Sequence, residues 1–305
     1  PDDTKNYKRA TGSVTVNAVF KLVSIEVTSG KTDYKAFDAL DTDSIVITAT
    51  YAAGTNPTAV TGYTFTYPGD NEYFTVADDG KKVTFTYTEN GITKTCTLTV
   101  SVGKKTLDMS GVSMTDKMET YDGNEKYITV DGTLPNVLSV TGYLYNGESA
   151  TGATDAGSYK VEAVFSLSDP DNYVMPKLSA NLSIGKATPV IDVSGVKTTF
   201  TYNGAAQGVT KGATVDNDEQ TIVYENKTFV TVEEGDGMKF KITVAESKNY
   251  KAGSVTVTIT VEKAKVNLTW TGGGGKYDGE EHNATLEVTS GVFDRDGQSF
   301  TTDKL

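Results

Sequence analysis

The sequence predicts an all-β chain built as a tandem array of small modules. Three observations carry this. Apolar residues alternate with Thr, Ser, Lys or Glu along most of the chain, as at Ile45-Ile47-Ala49-Tyr51, Val83-Phe85-Tyr87, Leu98-Val100-Val102 and Met238-Phe240-Ile242-Val244. A period of two is the signature of half-buried antiparallel strands. No helix-length window has a 3.6-residue period, so short helical turns are the most expected, for instance at Lys35 to Leu40. Finally, two short markers recur: Asn-Tyr at 6–7, 172–173 and 249–250, and Tyr-x-Gly at Tyr121-Asp122-Gly123, Tyr202-Asn203-Gly204 and Tyr277-Asp278-Gly279.

The spacings set the module size. The Tyr-x-Gly copies lie 81 (121 to 202) and 75 (202 to 277) residues apart, and the last two Asn-Tyr copies 77 (173 to 250). Such a repeat points to an array, and a module of that size buries a modest core of its own. Asp-Gly and Asn-Gly supply positive φ, so each Tyr-x-Gly is expected to close a type I′ hairpin.

In chain order, residues 1–23 read as the end of a module: Lys5-Asn6-Tyr7, then the alternating run Ser13 to Phe20. Residues 24–103 carry neither marker. Their short strands, with a Glu89-Asn90-Gly91 turn between the last two, predict a separate sandwich. Residues 104–187 and 188–264 each run from Tyr-x-Gly to Asn-Tyr, a final strand and a closing Lys-Ala at 186–187 and 263–264. Residues 265–305 begin another module. The junctions, Lys186 to Pro189 and Glu262 to Lys265, contain no flexible tether, which predicts a jointed, fairly stiff, extended rod.

Composition excludes several functions. The formal net charge is -12, which argues against nucleic acid as the main partner and fits a soluble, self-repelling surface. A single cysteine, Cys96, rules out a disulfide within the chain. No apolar run approaches the roughly 18 residues that span a membrane.

These residues resemble two families. Ser24-Ile25-Glu26-Val27, Lys31 to Tyr34, Val46 to Tyr51 and Val83 to Tyr87 running into Gly91 are similar to bacterial Ig-like domains of the group 3 type. Lys35 to Leu40 departs from that family's Gly-x-x-Leu. Residues 104–187 and 188–264 resemble MBG repeats, through the Tyr-x-Gly starts, Asp155-Ala156-Gly157-Ser158-Tyr159, the Asn-Tyr pairs and the closing Lys-Ala. Gly235-Asp236-Gly237-Met238 departs from the first repeat's pattern. The resemblance implies one Ig-like β-sandwich flanked by β-grasp-like repeats, in a secreted or cell-wall protein of Gram-positive bacteria.

Candidate chemistry is sparse. His282, the only histidine, lacks the flanking partners of a catalytic relay. Cys96 is in phase with Leu98 and Val100 and should point inward. Asp294-Arg295-Asp296-Gly297 fails the EF-hand spacing, because Gly stands at the fourth position and Leu305 at the twelfth. Gly272 to Gly275 lack the P-loop pattern. Solvated turns are the default for the acidic loops at Asp41 to Asp43, Asp78-Asp79, Asp169 to Asp171 and Asp216 to Glu219, with junction calcium the alternative. No cofactor, metal site or catalytic residue is expected. Trp270 and Tyr277 are the candidate ligand contacts, because sugars stack on exposed aromatic rings.

The expected function is a non-catalytic stalk segment of a secreted bacterial surface protein or adhesin. The alternatives are a module binding carbohydrate or a host glycoprotein, and an accessory region of a glycan-active enzyme. Polysaccharide or host glycoprotein is expected to engage other parts of the full-length protein. The segment is expected to be a monomer, with head-to-tail complementation of 265–305 by 1–23 of a neighbouring copy as the alternative.

Overall fold

The computed structural model describes residues 20–52 and 56–265, Gly12, Lys276, Gly279 and Glu280, and the backbone of strands Asn267–Thr271 and Thr285–Ser290. Among the described residues the chain is all-β apart from 3-10 turns at Thr42–Ser44 and Val76–Asp78 and a single helical turn at Val232–Gly235. The helical turn expected at Lys35 to Leu40 is displaced to Thr42–Ser44. Phe37 has φ 69°, outside helical space, and the Lys35 amide donates to Asp38 Oδ2 (2.9 Å). Two compact units form: 1–113 with 130–142 and 163–178, and 114–129 with 143–162 and 179–305.

The first unit opens with a sandwich. Leu22–Ser29, Val46–Tyr51 and Thr58–Val60 form one antiparallel sheet, and Thr64–Thr66, Lys82–Glu89 and Ile92–Thr99 the other. Inward positions of both sheets meet in one core of Leu22, Ile25, Ile47, Val83 and Phe85, closed by Tyr34 and Phe74. Each such fully buried side chain contributes about 1.5–3 kcal/mol. The last hairpin turns at Asn90-Gly91, with φ 46° and 77°, as the Asn-Gly dipeptide predicts. Cys96 lies opposite Phe85 and faces the core. It is half-buried rather than fully buried, and burial pushes its thiol pKa up. A second core in this unit gathers Leu138, Phe165 and Leu167.

The second unit holds two further cores, one around Ile128, Val161, Leu182 and Ile184 and one around Phe200, Phe229, Phe240, Ile242 and Ile259. Ser179–Gly185 pairs antiparallel with Gly157–Glu162, and Lys239–Val244 lies between Ile222–Tyr224 and Gly253–Thr258. Phe240 and Ile242 are fully buried because alternate residues of this central strand all face one side.

Two features depart from the sequence reading. The strands entering the Tyr-x-Gly at 121–123 and at 202–204 pair in parallel with the module's final strand: Lys117–Thr120 with Leu182–Gly185, and Thr199–Thr201 with Thr260–Glu262. Asp33–Lys35 pairs likewise with Ser101–Gly103. At 121–123 and 202–204, Tyr-x-Gly therefore ends a parallel strand instead of closing a hairpin, while Tyr277 and Asp278 lie outside the described residues. Only its glycine has positive φ, at Gly123 and Gly204. The middle residue forms an Asx turn, Asp122 Oδ1 accepting from Asn124 N and Asn203 Oδ1 from Ala205 N. A type I′ hairpin stands instead at Asn146-Gly147, φ 51° and 90°.

Both repeats share one more device. Asp108-Met109-Ser110-Gly111-Val112 and Asp192-Val193-Ser194-Gly195-Val196 make the same turn, with the Ser amide on the Asp carboxylate. Against these turns pack Gly132 (φ 100°) and Gly212 (φ 104°). A Cβ there would sit 1.9 Å from Gly111 O and 2.1 Å from Gly195 O, so only glycine fits.

Candidate functional site: the Asn-Tyr joints

Asn172 and Asn249 each sit where one module's last strand hands over to the next module. In the first unit, Asn172 Oδ1 accepts the Val76 amide at 2.9 Å. Val76 opens the turn Val76–Asp78, and a first-turn amide has no partner within its own helix. Its neighbours are occupied: Asp78 accepts from Thr75 N and Thr75 Oγ1, and the Asp78 amide returns to Thr75 O. Burial pushes the Asp78 carboxyl up, but the hydrogen bonds from Thr75 and Lys81 outweigh it and hold it below the usual carboxylate range. The Asn172 Nδ2 donates to both oxygens of Asp169, each at 3.1 Å. This fixes which end of the amide faces Val76.

The backbone completes the joint. Lys105 N donates to Asn172 O (2.8 Å) and Val174 N to Lys105 O (2.9 Å). Lys104 Nζ reaches Pro170 O at 2.6 Å. The Tyr173 ring stacks on Phe37 with centroids 5.1 Å apart. Phe37 is one of three non-glycine residues with positive φ among the described residues. Such strain, about 1–3 kcal/mol, persists only where the surroundings enforce it.

In the second unit the same parts recur. Asn249 Oδ1 accepts the Ala156 amide at 2.7 Å. Its Nδ2 donates to Glu219 Oε1 (2.7 Å) and Asp155 Oδ1 (3.1 Å). Ala187 N donates to Asn249 O and Lys251 N to Ala187 O, both at 2.8 Å. Lys186 Nζ reaches Ser247 O at 2.6 Å, the position matching Pro170. Tyr250 meets Tyr121 edge-on at 5.5 Å. Asn249 is 3% exposed, and Gln220 braces its loop through Ala245 O and Lys251 O. The Lys248 ammonium and the Asn249 amide hold Asp155 below the usual carboxylate range, and the two Asn249 amides do the same for Glu219.

Asparagine suits this place because its amide accepts at one end and donates at the other. Aspartate would lose the donor and add a third charge beside Asp155 and Glu219. The Asn-Tyr repeat was visible in the sequence, but its acceptors were not: Val76 and Ala156 lie 96 and 93 residues away.

Trp270 lies in the strand Asn267–Thr271, opposite Leu286; its side chain and all of Tyr277 fall outside the described residues, as do His282, Gly272 to Gly275 and Asp294 to Gly297. Among the described residues, no group of three or more His, Cys, Asp or Glu side chains is placed to hold a metal ion, and no helix is long and apolar enough to cross a membrane. A shallow groove of about 630 Å³ follows the strand Lys117–Thr120, lined by Met118, Tyr121, Asp122, Lys126 and Ser183. A Lys126–Asp122 ion pair (2.6 Å) forms part of its wall.

Serial β-modules joined by a repeated clip define a tandem-module protein. The MBG domain family matches residues 110–188. No curated protein matches the chain. Similar solved structures include an I-band fragment of titin, at 11% identity over 80% of this chain and 100% of that one, TM-score 0.28. Extracellular domains 3–5 of Drosophila OTK match at 11% identity over 80% and 100%, TM-score 0.26. A SusE-like surface located polysaccharide binding protein of Bacteroides thetaiotaomicron matches at 10% identity over 74% and 53%, TM-score 0.20. At such TM-scores these likenesses carry no inference about function.

Proposed function

We propose that this chain is a non-catalytic structural segment of a secreted bacterial surface protein, a stalk or adhesin portion that spaces other domains from the cell. The Ser24 to Val102 stretch is then its bacterial Ig-like module of the group 3 type, and a Gram-positive source follows from the same reading. The observation that supports it most is the pair of joints. At each joint a buried or half-buried Asn and its Tyr meet the preceding module, and a Lys ammonium caps the carbonyl two residues before the Asn. A stalk needs its joints held in this way; a single-site enzyme does not.

Small-angle scattering tests the structural role. The double variant Asn172→Ala/Asn249→Ala should broaden the distribution of interatomic distances while circular dichroism stays unchanged. An unaltered distribution would sink the role assigned to the joints. Antibodies against residues 104–264 should label intact cells of the source organism, and absence of labelling counts against the surface location.

Carbohydrate binding is the second reading, favoured by the groove beside Tyr121. A glycan array with hits abolished by Tyr121→Ala or Trp270→Ala would replace the structural reading. An array without hits would leave the structural reading standing alone.

A further inference from the structure

In three modules an early strand and the last strand lie side by side and run in the same direction. Asp33–Lys35 pairs with Ser101–Gly103, Lys117–Thr120 with Leu182–Gly185, and Thr199–Thr201 with Thr260–Glu262. Backbone bonds extend each pair at its ends. Ser101 N donates to Thr32 O (2.8 Å) and Ala36 N to Gly103 O (2.9 Å). Tyr121 N donates to Gly185 O (2.8 Å). Thr260 N donates to Thr198 O (2.8 Å) and Tyr202 N to Glu262 O (2.9 Å). In the sandwich and the second repeat a core backs the pair. Tyr34 stands opposite Val102 and Phe200 opposite Val261, and all four side chains are buried. One face of these ladders is thus shielded from water, which competes for the same hydrogen bonds.

Strand direction matters when a chain is pulled lengthwise. Tension reaches the pair at the start of the early strand and leaves it at the end of the last strand. In a parallel pair those two points lie at opposite ends of the ladder. The strands must then slide past one another, and the evenly spaced bonds between them are strained together. In an antiparallel pair both points would lie at one end, and the bonds would open one after another.

We infer that these parallel pairs are tension clamps, which let the chain carry a lengthwise pull that its modest cores alone would not resist. Forced unfolding follows the unfolding rate and not the equilibrium stability, so a small core and high tensile resistance are compatible. The use of such a clamp rests on the structural role proposed above, in which a stalk transmits pull to the domains it spaces. The clamp itself rests only on strand direction.

Optical-tweezer pulling of the full chain tests this in the second repeat. Cys96→Ser removes the native thiol, and the exposed Lys197, Thr258 and Lys263 serve as attachment points. Lys197→Cys/Lys263→Cys grips the pair at opposite ends and loads it in shear. Lys197→Cys/Thr258→Cys grips it at one end, because Lys197 precedes Thr199 and Thr258 precedes Thr260, and opens it as a zipper. The two attachments enclose nearly the same stretch of chain, so direction is what differs, and matched denaturant midpoints verify equal stability. At one pulling rate the rupture force should be several-fold higher in shear. Equal forces, or a higher force for the zipper attachment, overturn the inference. Neither outcome alters the scattering or labelling results, so failure of the clamp is distinct from failure of the stalk.

Discussion

Replacing Asn249 by alanine should open one joint and leave the other closed. The Ala156 amide donates to Asn249 Oδ1 at 2.7 Å, and Asn249 is 3% exposed. Truncation removes that acceptor from an enclosed site, and an unsatisfied donor costs about 1–3 kcal/mol. Asp155 and Glu219 add little, because water replaces their lost partner: the Asp155 side chain is 43% exposed. A loss of about 1–3 kcal/mol corresponds to roughly 5- to 140-fold faster exchange of the Ala156 amide hydrogen, since tenfold is about 1.4 kcal/mol. Exchange followed by NMR reads this directly, with the Val76 amide as internal reference in the same sample. Asn172→Ala should show the reverse, exposing Val76 and sparing Ala156. Two results would refute the reasoning: unchanged exchange at Ala156 in the Asn249 variant, or acceleration at both amides in either variant, which would signal general loosening.

The same joint should weaken in acid. Hydrogen bonds from Lys248 and Asn249 hold Asp155 below its usual range, and Asn249 does so for Glu219. Their contribution is complete above the unfolded carboxylate range near pH ~4 and is lost as pH falls through the lower folded values. Exchange at Ala156, corrected for intrinsic rate, should therefore accelerate below about pH 4, and a flat profile would contradict this. In the sandwich, the Tyr51 hydroxyl is pushed up to about 12, first by its hydrogen bond with Glu89 and then by burial. The stability it lends is present below tyrosine's ordinary value of about 10 and lost as pH rises through the folded value. Glu89→Ala should return its ultraviolet titration toward about 10, and an unmoved titration would remove Glu89 as the cause. Phe240→Ala should destabilise the core around Phe200 and Ile259 by about 3–5 kcal/mol. Amide protection should drop there while that of Val83 and Phe85 in the sandwich holds.

The alternation of apolar and polar residues settled the strands by itself, because a strand's side chains take opposite faces in turn and only one face of each sheet is buried. Local turn chemistry was legible too: Asn90-Gly91 reads correctly since both residues tolerate positive φ. Pairing was not legible. Nothing local in Lys117–Thr120 says that its partner is Leu182–Gly185 in parallel, so Tyr121-Asp122-Gly123 predicts a hairpin where the structure ends a parallel strand. The Asp-x-Ser-Gly-Val turns at 108–112 and 192–196 are a third repeated marker in the sequence. The joints divide in the same way. The sequence repeats Asn-Tyr, and so marks the residues that matter. Which amides those asparagines meet is a question of partners more than 90 residues distant along the chain, and only tertiary packing places Val76 and Ala156 there. Composition and periodicity act locally; a hydrogen bond between modules exists only once each module has closed its own core.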